Sequence, residues 1–392
     1  MVGNRIKTGD QVGGFVIYWD YDANPRTIFI FNHNRSLLYR MKLANALRYL
    51  WRYGWGNKVV MCLSVFLLLA LSGMYGISRW YTHTQASKPL VLGTSFVPAY
   101  AESFGLDPEE TMQAMIDDLG VRHFRLVSYW NQLEPEQGRY DFTLLDWQFR
   151  KAEQAGAKVT LSLGLRQPRW PECHMPKWAE GKPQSVWQPQ LLDFMAATVN
   201  RYKSSPALAS YQVENEYFLQ GFGICTNFDR QRLVAEYDLV NRLDPKHKII
   251  IARSNNAIGW PAGDPTPDEY GISIYKRVWD AGLTKRYLEY PWPAWYYGFV
   301  AGWGKLMTGK DMMIHELQAE AWPPNYQSIQ DTPLEEQNKS FNADMMAKRV
   351  KLGKDTGMRE MYLWGSEYWY YRLVKLQDPS LWDAGRKVFR EN

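Results

Sequence analysis

Residues 209–218 read ASYQVENEYF, an apolar run that closes on Glu214, Asn215 and Glu216. A strand sends alternate side chains to opposite faces, so Gln212, Glu214 and Glu216 would share one side, where burial without partners is costly. The run is therefore either a solvated edge or the rim of a polar site. Seven further runs of the same kind bear on the choice: LVLGTS at 90–95, HFRLVS at 123–128, KVTLSL at 158–163, KIIIAR at 248–253, YGISIY at 270–275, DMMIHE at 311–316 and EMYLWG at 360–365. Helical patterns fall between them at 108–120, opened by Asp107 as a cap, and at 142–156, 190–203, 228–243 and 342–355. The fifth repeat, NNAIGWPAGDPTPDE at 255–269, is rich in Pro and Gly and shows no clear helix. Alternation of this kind through residues 89–392 predicts an α/β fold, a (β/α)8 TIM barrel.

Such barrels do their chemistry at the C-terminal ends of the strands. Glu216 ends the fourth run, Glu316 ends the seventh, Arg125 lies in the second, Tyr275 ends the sixth, and Trp364 and Glu367 follow the eighth. Two carboxyls facing each other across a barrel mouth suit glycosidic bond cleavage, in which one protonates the leaving oxygen and the other attacks the anomeric carbon.

On several motifs in order, residues 89–392 resemble the retaining glycoside hydrolases of clan A. VENEY at 213–217 is similar to the acid/base motif of the β-galactosidase families. FRLVSYWNQLEPEQGRYDF at 124–142 has their strand-two pattern, LRQPRWPEC at 165–173 resembles the segment after strand three, and LWGSEYW at 363–369 carries the strand-eight Trp. The resemblance implies Glu216 as acid/base, Asn215 as partner of the sugar 2-hydroxyl, and Glu316 as nucleophile held by Arg125 and Tyr275. The chain departs from it after strand seven, where ELQAEAW leaves Glu320 as an alternative nucleophile.

Other residues have plainer readings. Glu214 is expected in a buried ion pair with an Arg of strand two or three. His315 and Glu316 begin an HExxH-like pattern, but positions 319 and 320 are Ala and Glu, so no metal and no cofactor is expected. His174 is a loop His read as solvated. The chain is 15% aromatic, with 18 Trp and 25 Tyr, and of the upper-loop aromatics Trp130 and Trp170 are expected to bind substrate. The insertion YLEYPWPAWYYGFVAGWGKLM at 287–307 is expected to shape substrate choice or to touch the membrane or a partner.

Residues 59–78, VVMCLSVFLLLALSGMYGIS, contain no charge and are long enough to cross a bilayer. Lys58 and Arg79 bracket them, with Trp51, Trp55, Trp80 and Tyr81 at interfacial positions. Seven Lys or Arg and no acid lie between Arg26 and Lys58, which predicts a cytoplasmic N-terminus and an extracellular domain on a single-pass cell-membrane anchor. The expected division is a basic cytoplasmic region at 1–57, a transmembrane signal anchor at 58–80, a linker at 81–88 and the barrel at 89–392. Residues 1–88 hold 11 basic and 3 acidic residues and the remainder 35 and 38, so the outer domain is mildly acidic and no nucleic-acid partner is expected.

Cys173 and Cys225 follow the third and fourth runs, in neighbouring loops of an exported domain, and are expected to form a disulfide rather than two free thiols. The functional expectation is a membrane-anchored retaining β-glycoside hydrolase acting on an extracellular oligo- or polysaccharide. A transglycosylase on the same scaffold, or a carbohydrate-binding barrel that has lost catalysis, is the alternative.

Overall fold

All eight runs form strands: β1 (Val91–Phe96), β2 (His123–Val127), β3 (Lys158–Leu163), β4 (Leu208–Val213), β5 (Lys248–Arg253), β6 (Glu269–Ile274), β7 (Asp311–Gln318) and β8 (Glu360–Trp364). They pair in parallel in the order β7-β8-β1-β2-β3-β4-β5-β6, and the sheet closes into a barrel. The computed structural model describes residues 55–225, 228–253 and 263–391, together with three short antiparallel strands at Gln11–Val12, Phe15–Tyr18 and Phe29–Phe31. Most of residues 255–269 and of the basic stretch 37–57 lie outside the described residues.

The helices include α1 (Trp55–Gln85), α2 (Pro108–Ala114), α3 (Thr143–Gln154), α4 (Gln184–Tyr202), α5 (Arg230–Leu243), α6 (Ala294–Thr308), α7 (Ala343–Asp355), α8 (Ser366–Lys375) and α9 (Ser380–Arg390), with shorter ones at Pro98–Ser103, Trp130–Leu133 and Leu334–Ser340. Asp107 caps α2 by accepting from the Glu110 amide at 2.8 Å, as the sequence predicts. The helix expected to run through 108–120 instead passes into a π-turn at Met115–Leu119, which ends at Gly120 in the left-handed conformation. Crossover helix α6 lies inside the insertion at 287–307, the start of which pairs as a hairpin with Arg277–Asp280.

Strand β7 carries a bulge. Ile314 pairs with Ile272 and Glu316 with the next residue, Ser273, so His315 is the extra residue. Every residue from Met312 to Gln318 is buried, as in a strand covered on both faces, and at the bulge His315 Nδ1 lies 3.8 Å from Glu316 Oε1.

Contacts divide the chain into Met1–Gly73 and Met74–Asn392. Helix α1 has 31 residues and is long and apolar enough to cross a membrane by length and composition. It continues to Gln85, so residues 81–85 are helical rather than a linker, and Ser78, Tyr81 and Gln85 are buried.

Candidate active site

The end of β4 resolves the question posed by its sequence. The strand stops at Val213, and Glu214 takes a left-handed backbone with φ 57°, which breaks the alternation. Its carboxylate accepts from the amides of Leu165 at 2.6 Å and Arg166 at 3.1 Å, and pairs with Arg232 Nη1 at 2.8 Å. The ion pair is buried as expected, but its Arg comes from α5, not from strand two or three. Room for it depends on Gly164, where φ is 106° and a Cβ would lie 2.3 Å from Glu214 Oε1.

Glu216, also left-handed at φ 43°, faces the barrel mouth with Glu316, and both line one cavity of about 780 Å³. Non-glycine residues in this region cost on the order of 1–3 kcal/mol each and cluster at functional sites. Glu316 accepts from Arg125 Nη1 at 2.8 Å and from the Tyr275 hydroxyl at 2.8 Å. The fully buried Arg125 guanidinium also donates to Gln212 Oε1 at 2.6 Å and to Asn215 Oδ1 at 2.8 Å. One rigid fork thus fixes residues at the ends of β4 and β7 together.

Glu216 is treated differently. Burial, and then the charge of Glu316, push its pKa up to about 7, while Ser273, Arg166 and Arg125 pull it down. Ser273 Oγ donates to Glu216 Oε1 and lies 3.0 Å from His315 Nε2. Burial and Arg125 keep the His315 pKa well below the ordinary histidine value, so its ring is neutral.

A third carboxyl stands beside them. Glu172 accepts from Asn215 Nδ2 at 3.1 Å and lies 3.6 Å from Arg166 Nη2. Burial is the main cause that raises it to about 8, with Glu216 and Glu316 adding to the shift and Arg166 opposing it. At neutral pH it is largely a neutral acid. Nothing in PRWPEC marked Glu172 out, because a loop acid after a proline reads as solvated; Ser273 carried a weak signal, two residues before Tyr275 and so on its face of β6.

Glu320 also lines the cavity, but Arg169 holds it at 2.7 and 2.8 Å through both guanidinium nitrogens, and that guanidinium lies 3.3 Å from the Tyr100 ring centroid and 4.1 Å from that of Trp364. Trp170, Trp322 and Trp279 line the cavity with Trp364. Trp130 does not: it is fully buried and donates to Glu134 Oε2 at 2.6 Å. Glu367 accepts from the Val97 amide at 2.6 Å behind the wall, and burial raises it to about 7. His174, read as solvated, is buried and stacked on Tyr129 at 3.6 Å, with burial lowering it to about 4. Trp260 lies outside the described residues.

Cys173 and Cys225 form a disulfide with Cα atoms 5.3 Å apart, joining the loops after β3 and β4. Among the described residues no group of His, Cys, Asp and Glu is arranged to hold a metal ion.

Residues 107–184 match the family model Glyco_hydro_42, β-galactosidase. The β-galactosidase BbgII of Bifidobacterium bifidum is 29% identical over 131 residues, a match covering 28% of this chain and 19% of that protein. The chain thus matches about a fifth of that relative's length. Among solved structures, an endo-β-1,4-xylanase from Gloeophyllum trabeum is 17% identical with a TM-score of 0.48, over 71% of this chain and 85% of its own. The β-galactosidase of Halorubrum lacusprofundi is 15% identical with a TM-score of 0.47, over 70% and 52%.

Proposed function

We propose that the chain is a retaining β-glycoside hydrolase, held at a cell membrane by residues 58–80 with its barrel outside. The observation that carries this reading is the pair of buried carboxyls in one cavity, each with its own set of hydrogen-bond partners. Glu216 is raised to about 7 and can deliver a proton near neutrality, while Glu316 is held in place by the Arg125 guanidinium and the Tyr275 hydroxyl. The match over residues 107–184 to a β-galactosidase model supports the same class.

In the first step Glu316 attacks the anomeric carbon as the glycosidic bond breaks, and the Glu216 proton passes to the leaving oxygen. In the second, Glu216 takes a proton from water, whose oxygen displaces Glu316 from the sugar. Arg125 and Tyr275 position Glu316 throughout. Asn215 is the proposed partner of the sugar 2-hydroxyl, with Trp170 and Trp364 as stacking surfaces.

A screen of aryl glycosides with the full chain in detergent identifies a substrate, and product anomers read by NMR decide retention. Glu316→Ala is expected to lose activity by at least about four orders of magnitude and to be partly rescued by azide, while Glu320→Ala turns over. The reverse pattern would move the nucleophile to Glu320. Absence of turnover on every glycoside, with binding retained, would favour the carbohydrate-binding barrel.

A further inference from the structure

Helix α6 is apolar nearly all round, with Lys305 its single charged residue. Tyr297, Gly298, Ala301, Gly302 and Gly304 are buried, the glycines at 298 and 302 against α1. Near its start Trp292 is exposed and Trp295, Tyr296 and Phe299 are half-buried, while Trp303, Leu306 and Met307 are exposed toward its far end.

The contacts of α6 fix its direction relative to the end of α1. Tyr75 of α1 packs edge-on against Trp295 with ring centroids 6.2 Å apart. Ser78 meets Gly298, where a Cβ would lie 2.5 Å from its Oγ, and Ile77 and Tyr81 meet Gly302, where a Cβ would lie 2.9 Å from each. Gln85 Nε2 donates to Asp311 Oδ1 at 2.9 Å, at the first residue of β7. From Tyr75 to Gln85, then, α1 runs parallel to α6 and ends at the base of the barrel. Tyr75 stands about 15 Å above that base at 1.5 Å per residue. It is level with the start of α6, where the chain arrives from the catalytic loops: Tyr290 lines the cavity, and Lys276 Nζ, just after β6, donates to the Trp292 carbonyl at 3.0 Å.

We propose that the bilayer meets the domain at this catalytic rim. Tyr75, Trp292, Trp295, Tyr296 and Phe299 form an interfacial aromatic belt, and the cavity mouth is turned toward the lipid surface. The substrates within reach are saccharides attached to lipid in that leaflet rather than free oligosaccharides in bulk solution. The inference rests on the reading of α1 as a membrane span, the bilayer part of which would end near Tyr75 rather than at residue 80, because Ile77, Ser78 and Tyr81 pack on the barrel.

The test uses the full chain with Cys62→Ser, reconstituted in phosphatidylcholine vesicles containing a doxyl-labelled lipid. Single cysteines replace Phe299 near the rim or Lys351 in the C-terminal half of α7, and each carries an environment-sensitive dye while Cys173 and Cys225 stay bridged. The dye at Phe299→Cys is expected to shift to the blue and lose most of its fluorescence, and the dye at Lys351→Cys to do neither. Retention of the chain in alkaline carbonate with the position-299 dye unquenched, or with the position-351 dye quenched instead, would overturn this orientation alone. Release of the chain by carbonate would overturn the anchor, and the orientation with it.

Discussion

Ser273, fully buried outside the cavity lining, acts directly on the proposed acid. Its hydroxyl donates to Glu216 and so favours the carboxylate, opposing burial. Behind it, the His315 ring fills a slot that exists because residue 271 is glycine: a Cβ there would lie 3.0 Å from His315 Cδ2. Ser273→Ala removes the donor, so the Glu216 pKa should rise above about 7 and the alkaline limb of kcat/KM should move to higher pH. Because the carboxyl is no longer oriented toward the leaving oxygen, kcat should fall by roughly ten- to a hundredfold. A pH profile on any cleaved aryl glycoside checks both, and an unmoved limb would dissociate Ser273 from the acid.

At the scale of elements, the eight strands were legible because each is a short β-type run bounded by turn residues. The two ends that matter most were not. Alternation placed Glu214 beside Glu216, yet a left-handed residue turns its carboxylate to Arg232. The bulge at His315 likewise leaves no mark on a single strand, because it is a relation between two strands. Helix α6 was read as an insertion for a related reason: apolar on both faces, it shows no polar face to set off an apolar one. Trp130 looked like a rim aromatic because a Trp after strand two reads the same whether it faces the mouth or the core. Gly164→Ala tests the β3–β4 junction. A Cβ there is strained at φ 106° and drives against Glu214, so stability should fall by about 3 kcal/mol. The urea midpoint of the purified chain measures it, and an unchanged midpoint would remove Gly164 from the argument.

Across the whole molecule, the site shares its burial with other acids, and their protonation couples stability to pH. Burial raises Glu172 to about 8 and Glu216, Glu360 and Glu367 to about 7, from an ordinary 4.5. Glu360 sits at the base of β8, with the Tyr362 hydroxyl 3.0 Å away, so the effect is not confined to the mouth. Between pH 4.5 and these raised values the folded chain holds protons that the unfolded chain has released, and stability must fall as pH rises. Three histidines act in the opposite sense. Burial lowers His123, His174 and His315 from 6.5, so stability gained from them rises with pH but is nearly complete once pH passes the unfolded value. Above about pH 7 the acids therefore prevail, with Glu172 the last to ionise. Thermal unfolding of the full chain in detergent should give a lower Tm at pH 8.5 than at pH 7. Glu172→Gln cannot ionise and should recover part of that loss, whereas a Tm that climbs over this window in both proteins would mean that the buried acids are already charged in the fold.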